Sequence, residues 1–162
     1  MWVRSTAVLV ICGLIGVQGS QELMQKMAIN FAKPLAACKQ EMNLDDAMVQ
    51  EFADFWKEGY ELKNRQTGCA IMCISSKLEL LDGDLNLHHG KATEFALNHG
   101  ADESMAKQLI DLIHNCIQTT PQVDGDPCMT TLQVAKCFKM EIHKLNWNPS
   151  PELIAAEILA EG

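Results

Sequence analysis

The chain has 162 residues, 48% of them hydrophobic, and carries a formal net charge of −8. A chain of this length forms one domain by the usual size relation and can bury a sizeable apolar core. The acidic balance excludes nucleic acid and anionic membrane surfaces as main partners, because both require a basic face.

The first element is an apolar run, AVLVICGLIGV, which follows a short basic start, MWVR. Val17 and Gly19 stand at the positions that a signal peptidase reads, and the run is too short for a membrane anchor. We therefore predict that residues 1–19 are a secretory signal peptide and that residues 20–162 form a single domain. Without Arg4, 12 basic residues face 21 acidic ones, and the net charge becomes −9.

The pattern after the signal is helical nearly throughout. Apolar residues recur at helical spacing from Met27 to Met42, and Pro34 is expected to bend or split this first helix. Further helices are predicted at residues 44–59, 68–81, 89–100, 102–116 and 126–145. The expected N-caps are Asp45, Asp102 and Asp126, the last of them followed by a proline.

No segment shows convincing period-two alternation, and no internal repeat is present. The fold class is therefore all-α, with about six helices and two irregular connections at residues 82–86 and 119–127. The first connection, DGDLN, starts like a calcium loop but has Leu87 where glycine is required and Thr93 in place of the bidentate glutamate. A turn with helix-capping acids explains it better.

Six cysteines remain after Cys12 leaves with the signal, and an even number in a secreted chain indicates three disulfides. Cys69 and Cys73 lie one turn apart and point outward in parallel. Cys128 and Cys137 lie on opposite faces of one helix, too far apart to bridge. These two exclusions leave 10 of the 15 possible pairing schemes open.

The cysteines are separated by 30, 3, 42, 11 and 8 residues, a spacing similar to that of the insect odorant-binding proteins. The stretches FWKEGYELKNRQTGCAIMC, NLHHG, HGADESMAKQLID and CFKMEIHKLNW resemble the moth pheromone-binding proteins over the whole chain after the signal. This resemblance implies a compact bundle around an internal apolar cavity. It also implies the bridges Cys38–Cys73, Cys69–Cys128 and Cys116–Cys137.

The resemblance further implies a ligand site. Phe31 and Phe138 would hold an unsaturated hydrocarbon chain between their rings, and Ser75 would hydrogen-bond its head group. The other implied wall residues are Met24, Trp56, Ile71, Leu87, Ile113 and Val134. A methionine-rich interior agrees with a cavity that adapts to flexible apolar ligands. A serine in a helix otherwise bonds its own backbone, which is the ordinary alternative for Ser75.

The implied function is a secreted carrier in the sensillum lymph that binds a long-chain hydrophobic pheromone, either an alcohol, an acetate or an aldehyde. Release would follow acidification near the receptor membrane. The implied partners besides the ligand are an olfactory receptor or the neuronal membrane, and a second copy of the chain in a homodimer at neutral pH.

Histidine changes its charge between pH 5 and 8 and is therefore the natural sensor for such release. His88 and His89 follow the loop that the resemblance makes a lid over the cavity, and His114 lies on a neighbouring helix. Residues 151–162 are expected to be a switchable tail with an apolar arc flanked by Glu157 and Glu161. Because burying carboxylates requires partners or protonation, this tail should stay outside at neutral pH and enter the cavity in acid.

The sequence lacks the motifs of an enzyme: it has no nucleophile elbow, no phosphate-binding glycine loop and no HExxH. We predict no catalytic activity, no cofactor and no metal, because only Cys69 and Cys73 have zinc-ligand spacing. Two alternatives from other classes are a secreted cytokine-like signalling protein and a saposin-like lipid-interacting bundle. The second would require close cysteine pairs at both ends of the chain, which this sequence lacks.

Overall fold

The computed structural model describes residues 19–161, with the side chains of residues 19–160. The predicted signal peptide lies outside this range except for Gly19. Residues 19–32 are helical (α1). The other helices are α2 (Leu35–Glu41), α3 (Asp46–Asp54), α4 (Arg65–Lys77), α5 (His89–Asn98), α6 (Glu103–Thr119), α7 (Pro127–Lys144) and α8 (Pro151–Glu161).

The all-α prediction is confirmed, since residues 19–161 contain no strand and only one isolated bridge, between Leu81 and Leu87. Two more helices are present than the sequence pattern indicated. Pro34 separates α1 from α2, and the tail forms α8 by itself. In this same range, no helix has the length together with the hydrophobicity that crossing a bilayer requires.

The three predicted N-caps are confirmed. The carboxylates of Asp45, Asp102 and Asp126 each accept a hydrogen bond from the backbone N–H three residues further on. Such caps satisfy N–H groups that have no partner within the helix, and each stabilises its helix by about 1 kcal/mol.

Two predicted helix ends are wrong. α3 stops at Asp54 rather than at residue 59, because the following segment turns and bonds to side chains from other parts of the chain. α4 stops at Lys77 rather than at residue 81, because Glu79 adopts a left-handed conformation with φ of 59°. The N–H of Leu80 then donates to the carbonyl of Ser75, which closes the helix in a Schellman motif.

The three disulfides pair as the resemblance implied. Cys38–Cys73 joins α2 to α4, Cys69–Cys128 joins α4 to α7, and Cys116–Cys137 joins α6 to α7. The second bridge lies at a close crossing of backbones, where a Cβ on Gly68 would overlap the carbonyl oxygen of Cys128. Glycine is required there by space, so α4 and α7 form a tightly packed pair that supports one wall of the interior.

Candidate ligand-binding cavity

A cavity of about 580 Å³ lies inside the bundle. Its walls come from α1, α3, α4, α5, α6, α7 and α8, and from the two irregular connections at 80–87 and 122–127. The volume falls within the range of small-molecule sites, and most of the lining side chains are apolar. The cavity can therefore enclose a flexible hydrocarbon chain of a small ligand.

All nine residues that the sequence assigned to a ligand site line this one cavity. Met24 and Trp56 are buried, whereas the others are half-buried because they face the space itself. The set is Met24, Phe31, Trp56, Ile71, Ser75, Leu87, Ile113, Val134 and Phe138. Residues from six different parts of the chain thus converge on one surface, although the proposed contacts to a ligand stay predictions.

Trp56 forms the centre of an aromatic cluster in this wall. Its ring lies 4.9 Å from the ring of Phe55 and 5.9 Å from the ring of Phe138, centroid to centroid, both in edge-on geometry. Edge-on aromatic pairs stabilise by about 1 kcal/mol beyond the area they bury. Phe138 on α7 is therefore held by the residues that follow α3, while Phe31 on α1 contributes to the lining separately.

Ser75 supplies a hydroxyl to a mostly apolar surface. Among the described residues, its side chain makes no hydrogen bond, so it does not bond its own helix backbone. The other polar side chains of the lining belong to the connections or to the start of α7: Asp84, Asn86, Gln122, Asp126, Thr130 and Thr131. Ser75 is therefore the polar group that α4 presents to the cavity.

The first connection is a short hairpin over the cavity. One carboxylate oxygen of Asp82 accepts hydrogen bonds from the N–H groups of Asp84 and Asn86, and the Asp82 N–H donates to the Asn86 carbonyl. These bonds close the loop on itself without anchoring it to another helix. Leu85 at its tip is 53% exposed and also lines the cavity, so the hairpin has the position of a lid.

None of the three predicted pH-sensing histidines, all within the described residues, lines the cavity: His88 directly follows the lid, and His89 and His114 lie on α5 and α6. The Nδ1 atom of His88 accepts a hydrogen bond from the Lys91 N–H and caps α5. The rings of His89 and His114 lie 4.9 Å apart and connect α5 with α6. A proton on His88 Nδ1 would remove this acceptor, and positive charges on both His89 and His114 would repel each other.

A fifth histidine, His143 on α7, was not assigned a role by the sequence. Its Nε2 atom is buried and has no hydrogen-bond partner among residues 19–160, and its ring lies 6.2 Å from that of Trp56. Burial, and then the nearby ammonium of Lys139, hold the pKa of His143 below its usual value. Nothing in its local sequence distinguishes it from a solvated histidine.

We expect a His143→Phe substitution to reduce the acid sensitivity of folding. Because the pKa of His143 is lower in the folded state, the unfolded chain binds the extra proton first. The stability from the neutral ring is present above about pH 6.5 and is lost as the pH falls. The decline in Tm between pH 7 and pH 5 should therefore be smaller by about 2 °C in the variant. An equal decline in both proteins would contradict this role.

The tail forms a regular helix, α8, that packs against α3 and contributes to the cavity. Ile154 and Ile158 are only 2% and 6% exposed, and both belong to the lining. Glu157 stays exposed, and Leu159, which the sequence placed in the apolar arc, is 50% exposed. The apolar face of the tail thus reaches the cavity while Glu157 remains exposed, and the side chain of Glu161 lies outside the described residues.

The chain is similar in sequence to a known family of proteins. Residues 20–141 match the PBP/GOBP family. The chain is 53% identical over 145 residues to pheromone-binding protein 2 of Epiphyas postvittana, covering 90% of this chain and 87% of that one. It is 34% identical over 142 residues to general odorant-binding protein 2 of Manduca sexta, covering 88% of each.

A solved structure is similar as well. The crystal structure of Epiphyas postvittana pheromone binding protein 3 superposes with a TM-score of 0.64 at 45% sequence identity. The match covers 71% of this chain and 97% of that one. Sequence and fold comparisons therefore agree with each other.

Proposed function

The chain belongs to the PBP/GOBP family, and we propose that its cavity carries a long-chain hydrophobic pheromone, an alcohol, an acetate or an aldehyde. Members of this family are binding proteins rather than enzymes. The observation that carries the proposal is the cavity of about 580 Å³, whose lining is mostly apolar and to which α4 contributes one hydroxyl, Ser75. Such a lining suits a hydrocarbon chain with a single oxygen-containing head group.

The energetics support a carrier. Removing a chain of about ten methylenes from water is favourable by about 8 kcal/mol, at about 0.8 kcal/mol for each group, before the cost of association. Dissociation constants in the micromolar range or below are therefore within reach. The hydrocarbon supplies most of the affinity, and the hydroxyl adds a preference for one end of the ligand.

A displacement assay tests this function. A fluorescent apolar probe bound in the cavity should be displaced stoichiometrically by alcohols, acetates and aldehydes with 12 to 18 carbons. A cytokine-like protein with a solid core would not bind the probe at one site. A saposin-like bundle would instead bind lipid vesicles, so vesicle binding without stoichiometric displacement by free alcohols would contradict the carrier.

We expect Ser75→Ala to lower the affinity for a long-chain alcohol by about fivefold, because one hydrogen bond is worth about 1 kcal/mol. The affinity for an alkane of the same length should stay unchanged. Ser76→Ala is the matched control, since Ser76 is the neighbouring serine on α4 but is exposed to solvent. Equal losses for alcohol and alkane would show that Ser75 does not contact the head group.

We also propose that acid releases the ligand. His88, His89 and His114 support this step, because the first caps the helix after the lid and the other two form the contact between α5 and α6. Charging them would loosen the support of the lid. In acid, α8 would move deeper, so that residues 151–162 compete with the ligand for the cavity.

The remaining parts of the proposal concern location and partners. Residues 1–19 would direct secretion into the sensillum lymph, and the loaded carrier would meet an olfactory receptor or the neuronal membrane. We further propose a homodimer at neutral pH. Sedimentation at pH 7 and pH 5 tests the dimer, and a monomer at both values would contradict it.

A further inference from the structure

Lys139 is a buried cation outside the cavity. It lies on α7 directly after Phe138 and is only 8% exposed. Its ammonium donates to the carbonyl oxygens of Lys57 at 2.8 Å and Tyr60 at 2.7 Å, and lies 5.7 Å from the centroid of the Tyr60 ring. Within residues 19–160, no carboxylate lies within 4 Å of this ammonium. Its partners are thus backbone carbonyls and a ring face.

This arrangement is costly for folding. Moving an ammonium out of water costs several kcal/mol even after relaxation, and two carbonyls offset only part of that cost. Burial accordingly holds the pKa of Lys139 below its usual value. An apolar residue at this position would fill the space without that penalty. A role in fixing the positions of the two carbonyl groups therefore explains the buried ammonium better than a contribution to folding stability does.

Both hydrogen bonds end on one segment, residues 55–64, which connects α3 to α4 and which we call the wall turn. The same turn is also held by Glu51, which is 5% exposed. The Glu51 carboxylate accepts hydrogen bonds from the Tyr60 hydroxyl and from the N–H groups of Lys63 and Asn64. Burial, and then the carboxylate of Glu51, raise the pKa of Tyr60 to about 12. Two buried charges thus hold one short turn.

The wall turn begins with Phe55 and Trp56, whose side chains line the cavity. Trp56 contacts Phe138, the residue that precedes Lys139 on α7. α7 therefore reaches the wall turn twice, with an aromatic contact on the cavity side and an ammonium on the backbone behind it. A shift of the turn would move Trp56 relative to Phe138 and change the width of the cavity at this end.

We infer that Lys139 is a positioning residue for ligand selection: by fixing the wall turn, it holds Trp56 where it limits the length and bend of the bound chain. This inference rests on the proposed carrier function and adds a determinant that does not touch the ligand. Selectivity for chain length then depends on a rigid wall, because a wall that can move accepts long and short chains with similar affinity.

The test measures dissociation constants for saturated alcohols from 12 to 18 carbons on the full chain. Lys139→Met keeps the apolar stem and removes the ammonium. In this variant, we expect the ratio between the weakest and the tightest dissociation constant to fall by about threefold or more. Without the ammonium the wall turn can move, so Trp56 no longer holds one position against the bound chain. Lys136→Met, on the same helix, is the control and should keep the wild-type ratio.

Tyr60→Phe provides a milder second variant, because it removes only the hydrogen bond to Glu51. It should shift the ratio in the same direction by a smaller factor, even if Lys139→Met does not fold. A uniform loss of affinity for all alcohols, or an unchanged ratio in folded variants, would overturn the positioning role. Failure of the wild-type protein to bind any alcohol would instead overturn the carrier function itself.

Discussion

Lowering the pH from about 7 to about 5 is expected to weaken the affinity for a long-chain alcohol by about tenfold or more, because histidines become charged across this range. The proposed switch acts through contacts that the structure shows: His88 Nδ1 accepts the Lys91 N–H, and the rings of His89 and His114 lie 4.9 Å apart. A positive charge on these rings would disturb both contacts and loosen the support of the lid. The measurement is a binding titration of one alcohol at several pH values.

Deleting residues 151–162 should remove most of this acid-induced loss. α8 already contributes Ile154 and Ile158 to the cavity, so it occupies space that a ligand could fill and lies where it can move further in. Without the tail, the loosened lid still admits and releases ligand, but nothing competes for the cavity. The affinity of the truncated chain at pH 5 should therefore approach its value at pH 7.

The helix itself offers a matched pair of variants. Replacing both Ile154 and Ile158 with serine removes the apolar face that lines the cavity and should reproduce the effect of the deletion. Replacing Leu153 and Leu159 with serine alters residues that are 52% and 50% exposed and should leave the acid response intact. If the truncated chain lost ligand in acid to the same extent as the complete one, the tail would not be the switch.

The second large effect is expected for the disulfides. Replacing Cys69 and Cys128 with alanine removes a link between residues 59 positions apart, and should reduce the free energy of unfolding by about 4 kcal/mol. Replacing Cys116 and Cys137 opens a link of only 21 positions and should cost about 3 kcal/mol. The longer loop loses more because its closure restricts the unfolded chain more.

Chemical denaturation of both variants at neutral pH measures this difference. The Cys69 and Cys128 variant should also bind alcohol more weakly, because that bridge joins α4 to α7, whose side chains form one wall of the cavity. The other bridge, between α6 and α7, also joins two helices that line the cavity, so its removal should weaken alcohol binding as well. If removing the Cys116–Cys137 bridge reduced the free energy of unfolding more than removing the Cys69–Cys128 bridge, native contacts rather than chain entropy would determine which bridge stabilises more.

The sequence predicted most helices and the three capped starts, because these depend on neighbouring residues. The caps at Asp45, Asp102 and Asp126 and the break at Pro34 are local, and each appears where its residue type indicated. The pairing of the cysteines was different, since helix geometry left 10 of 15 schemes open and only the family resemblance selected one. The same resemblance, not periodicity, assigned the nine residues that the structure brings together in one cavity.

What only the tertiary structure decided involves contacts between distant residues. α3 ends early because the wall turn bonds to Lys139, which lies 82 positions away from Lys57 in the chain. His143 was overlooked because its burial depends on α7 packing against the residues after α3. The tail looked too short to be helical alone, yet α8 forms because α3 provides an apolar surface for Ile154 and Ile158. The local spacing of apolar and capping residues determines which segments are helical. Whether a charged side chain or a helix face is buried depends on residues far away in the chain, which this spacing does not identify.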